Sequence, residues 1–145
     1  MSLFSSLSVA ASGMAAERTR AQLLVENVAN SETTRTPDGG PYRRKDVVFS
    51  TQQVGSPFSA VFQTEMESTS TGVTVSDVTV DQRDPDKRYM PGHPDADKDG
   101  YVSFPRINPA EDMVDLVDAS RNYEGNVAAI SAVKDMIQRS IDLLS

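Results

Sequence analysis

The chain has 145 residues, a formal net charge of −7 and 38% hydrophobic residues. That length suits one ordinary domain, but the apolar share is below that of a packed globule, so a compact independent core is not guaranteed. The acidic balance, without a long basic run, argues against nucleic acid as the main partner. With no cysteine and one histidine, disulfides are excluded and a zinc site is improbable.

The first sixteen residues, MSLFSSLSVAASGMAA, carry no charged side chain. A positive n-region is missing and serines interrupt the apolar stretch, so the segment reads as a helix rather than a cleavable leader. Stepping by four and three from Leu3 gives Leu7, Ala10, Met14, Glu17, Ala21, Leu24 and Val28, a heptad seam with one polar member. Ser2 is a candidate N-cap. The helix should end near Asn30, where SETTRTPDGGP begins, after roughly 40 Å at 1.5 Å per residue. Gly13 lies within it among alanines and serine, where a close approach of a second helix would favour glycine over a better helix former.

Residues 33–41 read as a loop, and Tyr42–Phe49 as a strand. Arg43, Arg44 and Lys45 on that strand form either a solvated face or a contact for an acidic surface of a neighbouring copy. Pro57–Phe62 is a second short apolar run. In GVTVSDVTV, residues 72–80, the apolar alternation slips by one, which predicts a bulge or kink at Ser76-Asp77. Asp81–Asp99 is rich in Pro, Gly and Asp and reads as a loop.

HPDADKDGYVSFPR, residues 93–106, opens like a calcium-binding EF-hand loop, with Asp95, Asp97, Asp99 and Gly100 in order. The twelfth position is Arg106, where a bidentate Glu is required, and Pro91, Pro94 and Pro105 stand where the flanking helices should be. The better reading is a stiff turn built by Asp side chains on backbone N–H groups, with His93 a turn residue. Asn108-Pro109-Ala110-Glu111 then starts a second long helix, with an N-cap, Pro at N1 and an acid in the first turn. Its seam is Met113, Leu116, Ser120, Tyr123, Val127, Ile130, Lys134, Ile137, Ile141 and Leu144, and the helix extends to about 144. Asp112, Asp115 and Asp118 sit where the macrodipole favours acids. Gly125 raises the same question as Gly13.

The expected fold is therefore mainly α with a small β-rich insert. Residues 1–30 and 109–145 supply the paired helices, and 31–108 supply loops and insert. Two such helices bury little surface for their length, so further helices from other chains are expected to complete the core. No nucleophile–base set, phosphate loop or cofactor motif is present in the sequence, and no enzyme is expected.

NVANSETTRTPDGGPYRRKDVVF (27–49), PGHPDADKDGYVSFPRIN (91–108) and EDMVDLVDASRNYEGNVAAISAVKDM (111–136) resemble the conserved blocks of bacterial flagellar rod and hook proteins, and in detail those of the proximal rod. SVAASGMAAERTRAQ adds to the resemblance, which covers roughly two-thirds of the chain; residues 51–82 show no matching pattern, and Arg106 stands where the family pattern suggests a small polar residue. The resemblance implies a structural role in motility. The terminal helices would form a coiled-coil-like inner domain, and copies would stack into a hollow helical shaft that transmits motor torque. It also implies export through the flagellar type III gate without a cleaved leader, and assembly in the periplasmic basal body. The partners implied are the chain itself, other rod proteins, and neighbouring ring and export-gate components. Leu3, Leu7, Met14, Leu24 and Val28, with Met113, Leu116, Tyr123, Val127, Ile130, Ile137, Ile141 and Leu144, are the expected subunit-interface residues. Phe58 and Phe62, four apart, and Phe49 are candidates for a short export-gate motif. The alternatives are another axial subunit of the rod or hook, or a calcium-binding adaptor.

Overall fold

The computed structural model describes residues 3–53 and 71–143. The short apolar run Pro57–Phe62, the N-cap Ser2 and the candidate site residues Phe58, Phe62 and Leu144 lie outside those residues.

Helix α1 spans Leu3–Ala29 and helix α2 spans Pro109–Asp142. They run antiparallel: Gly13 faces Asn126, Glu17 meets Asn122, and Arg20 meets Asp115. Asn108 caps α2 as expected, its side chain accepting from the Ala110 N–H at 3.2 Å, with proline entering the first turn. The expected seam on α1 is buried only in part: Ala10 and Leu24 are buried and Leu7, Met14 and Val28 half-buried, but Leu3 is exposed, and Ala16 and Asn27, which lie off the seam, are buried.

On α2 the packed face is one residue away from the expected seam. Asp112, Ala119 and Val133 are buried and Asn126 is half-buried, at seven-residue steps. Leu116, Ile130 and Ile137 flank this line half-buried, whereas Met113, Ser120, Tyr123, Val127, Lys134 and Ile141 are exposed. The reason is size and polarity. Small or hydrogen-bonding side chains line the face toward α1 and allow close approach, and the larger apolar residues stand beside it.

Between the helices lie two antiparallel hairpins. Strand β1 (Lys45–Gln53) pairs with β2 (Thr71–Val80). The expected strand at 42–49 starts three residues later because Tyr42 turns into the core, where it is 9% exposed. The predicted bulge is present: Val48 pairs with Asp77 and Phe49 with Val75, leaving Ser76 as the extra residue, its hydroxyl donating to the Val48 carbonyl at 3.0 Å. The hairpin rests on α1, where the Val73 N–H donates to Ser12 Oγ at 3.0 Å.

Strand β3 (Asp86–Tyr89) pairs with β4 (Tyr101–Phe104). This corrects the reading of 81–99 as loop throughout. β3, DKRY, is exposed along its length and carries no apolar alternation, so its strand character comes from pairing with β4. On β4, Val102 and Phe104 are buried. Arg88 lies over the Phe104 ring at 4.7 Å, and Tyr89 meets Tyr101 edge-on at 5.4 Å.

Candidate subunit interface

The β insert is fixed to the helix pair by two polar locks. The first is Asn27, fully buried on the last turn of α1. Its Oδ1 accepts from the Lys45 N–H at 3.0 Å and the Tyr42 hydroxyl at 3.1 Å, and its Nδ2 donates to the Lys45 carbonyl at 2.9 Å. One amide thus takes the place of a neighbouring strand at the start of β1. Lys45 Nζ reaches Glu26 at 2.6 Å across the same corner. Burial foremost, then the Glu26 charge, push the Tyr42 hydroxyl up to about 12, so it remains a donor.

The second lock is ionic. Arg44 Nη2 stands 2.9 Å from Asp112 Oδ1 and 4.0 Å from Asp115 Oδ2, and its Nε is 3.2 Å from Asp46. Asp112 is fully buried, and neither of its oxygens accepts a well-aligned hydrogen bond from the described residues. Burial raises the Asp112 carboxyl above its ordinary range and Arg44 pulls it back; Asp46, Asp115 and Glu111 add to the rise. This revises the sequence reading of Arg44 within the basic cluster. Arg44 meets acids of its own chain's α2, not a neighbour's, and its side chain is only 17% exposed rather than solvated. Arg43 donates to the backbone carbonyls of Asp81 and Arg83.

The acid-rich turn is likewise committed locally. Asp97 Oδ1 accepts from the N–H groups of Asp99 at 2.9 Å and Tyr101 at 2.8 Å, closing the β3–β4 connection. Asp95 accepts from the Thr34 hydroxyl at 2.7 Å. Gly100 has φ +82°, and a Cβ there would lie 2.9 Å from the Tyr89 ring. His93 serves the turn, its Nδ1 accepting from the Asp95 N–H. The described residues contain no His, Cys, Asp or Glu group arranged to hold a metal ion.

The expected interface residues divide into two sets. Leu24 is buried within its own chain; Leu7, Met14, Val28, Leu116, Ile130 and Ile137 are half-buried. Leu3, Met113, Tyr123, Val127 and Ile141 remain exposed, at 38, 55, 38, 40 and 55%. Val114 and Val117, which the seam missed because they fall off its spacing, are exposed at 62 and 50%. Phe49, the described member of the candidate export motif, is 39% exposed on β1. Asn27 and Asp112 carry the locks, yet the sequence offered only a polar residue in an apolar helix end and an acid in a first helical turn. No helix of the described residues is long and apolar enough to cross a membrane.

Residues 98–143, which take in β4 and all of α2, match the family model described as "Flagellar basal body rod FlgEFG protein C-terminal". The class is therefore that of flagellar basal-body rod proteins, structural components of the flagellum. Over nearly their full length, related chains narrow this further. The flagellar basal-body rod protein FlgC of Borreliella burgdorferi is 39% identical, with 99% of each chain covered. FlgC of Bacillus subtilis is also 39% identical with 99% of each covered, and FlgC of Salmonella typhimurium 34% identical, with 99% of this chain and 98% of the relative covered. The chain belongs to the FlgC family of flagellar basal-body rod proteins.

Proposed function

We propose that the chain builds the proximal rod, with copies packed helically around a channel into a shaft that carries motor torque. In this reading the two terminal helices form the inner, tube-lining domain, and residues 31–108 lie outside it. The observation that carries the reading is the set of exposed apolar side chains on α2: Met113, Val114, Val117, Tyr123 and Val127 stand unburied along four turns. So many apolar side chains exposed on one helix mark a surface that associates. Family membership supports a setting in the flagellar basal body, and in this reading the chain reaches its periplasmic part by type III export. The partners are further copies of this chain, other rod proteins, and adjoining ring and export components. An enzymatic role finds no support in the family.

The Ile137→Asp variant tests the reading. Ile137 is half-buried beside the α2 line that packs on α1. A carboxylate trapped there on assembly would cost several kcal/mol or be forced to protonate. Swimming should be lost while the chain still reaches the periplasm in a fractionation blot; Gln138→Asp, one step round the helix on an exposed site, should have an intermediate effect. Normal swimming of the Ile137→Asp strain would contradict the assembly role.

A further inference from the structure

A groove of about 590 Å³ runs where α1, α2 and the β1–β2 hairpin meet. Its apolar and small walls are Val9, Gly13, Ala16, Phe49, Val73 and Gly125. Two charged residues, Glu17 and Arg121, line it as well. Gly13 has a reason within the chain: a Cβ there would lie 3.0 Å from Asn126. Gly125 has none among the described residues, since a Cβ would meet nothing within 4 Å, and yet glycine weakens a helix interior relative to alanine. Glu17 adds an independent observation. Its Oε1 accepts from Asn122 at 3.2 Å, but Oε2 is buried and accepts no hydrogen bond from any described residue. A buried carboxylate oxygen left in this state is costly, and a turn of the Glu17 side chain toward an arriving donor in the groove would relieve it.

The far end of α2 presents a matching face. Ala132, Met136, Arg139 and Leu143 follow one another at helical spacing and all are exposed, Met136 at 48% and Leu143 at 86%. Asp135 stands one turn before Arg139 on the same side and is also exposed. The stripe thus offers apolar side chains with a cation and an anion, where the groove offers apolar walls with an anion and a cation. The stripe cannot fold into its own groove. Gly125 and Arg139 belong to one continuous helix, about 21 Å apart at 1.5 Å per residue.

We infer that the groove receives the C-terminal end of α2 from a second copy of this chain, with Met136 seated on Gly125, Arg139 donating to Glu17 and Asp135 facing Arg121. The inference rests on the rod-subunit reading and names one of the contacts that would build the rod. Groove and stripe use different residues, so a copy can receive the stripe of one neighbour and give its own to another. That arrangement is heterologous and generates open helical growth, whereas a reciprocal exchange between two copies would close a dimer.

The chain has no cysteine, so the contact can be trapped by design. A Gly125→Cys, Met136→Cys chain is produced in the source bacterium in place of the wild type, and basal bodies are isolated and oxidised. A ladder of dimers and longer products on a non-reducing gel is expected, and no ladder from either single variant. Separately, Glu17→Arg and Arg139→Glu should each reduce the swimming halo by more than half, and the combined exchange should restore it. Gly125→Leu should leave the purified chain folded by circular dichroism and abolish incorporation into basal bodies. Oxidised basal bodies that yield only single copies, or a linked product holding one copy of this chain, would overturn the docking and leave the rod role intact. So would a charge exchange that fails to restore swimming. Absence of the wild-type chain from isolated basal bodies would instead remove the rod reading, and this inference with it.

Discussion

Asp112 is the residue on which the joint between insert and helices depends. It is an acid with no exposed surface, facing a single guanidinium from another element. Breaking a buried pair from one side leaves an uncompensated charge and costs about 3–5 kcal/mol. Arg44→Met should therefore destabilise the purified chain by about that amount at pH 7, and Arg44→Met with Asp112→Leu should recover most of it. The sign of the pH dependence follows from burial. Asp112 is raised in the folded chain above its unfolded value near 3.9, so its protonated form favours folding. Stability lost in Arg44→Met should return as pH falls from 7 toward the unfolded carboxylate value of about 4. Asp81 behaves oppositely: hydrogen bonds from Arg83 hold it down at about 2, so its contribution is present above the unfolded value and fades only from about pH 4 to 2. The two windows do not overlap. Urea midpoints at pH 7 and about pH 4 decide the matter; a deficit in Arg44→Met that is the same at both would show that Asp112 is not the group left charged.

At the scale of elements, the two helical glycines give a paired test. Alanine in place of glycine gains about 1 kcal/mol in a helix interior. Gly125→Ala should show that gain in thermal unfolding of the purified chain, because the new Cβ meets open space. Gly13→Ala should not, because its Cβ must displace the Asn126 amide at 3.0 Å. Equal gains would mean that Asn126 yields freely and the helices are not held at that spacing. Both helices, the Asn108 cap and the Ser76 bulge were legible in the sequence, since heptad spacing, an Asn-Pro start and a slipped alternation are local signals. Three features were not. β3 has no pattern of its own and exists only through its partner β4. The face of α2 that meets α1 contains Asp112 and Asn126, polar residues that an apolar-periodicity reading passes over. Arg44 reaches Asp112 only because the chain folds back across 68 positions, which sequence spacing does not encode.

For the whole molecule, the antiparallel helix pair is only partly covered. A buried core of Ala10, Ala16, Leu24, Ala119 and Val133 is small for helices of 27 and 34 residues. The insert adds Tyr42, Val102 and Phe104, held at its own corner by the Asn27 and Arg44 locks. Met113, Val114, Val117, Tyr123, Val127, Met136 and Ile141 of α2 stand outward, and neighbouring chains in the rod would cover them. That is the central claim, and Val127→Cys measures it directly. Val127 is 40% exposed in the single chain and is the position at which a maleimide probe would report coverage, with no other cysteine to compete. Rapid labelling of the purified chain and strong protection in isolated basal bodies is the predicted result. Equal labelling in both states would show that this face stays open in the assembled rod and would contradict the account.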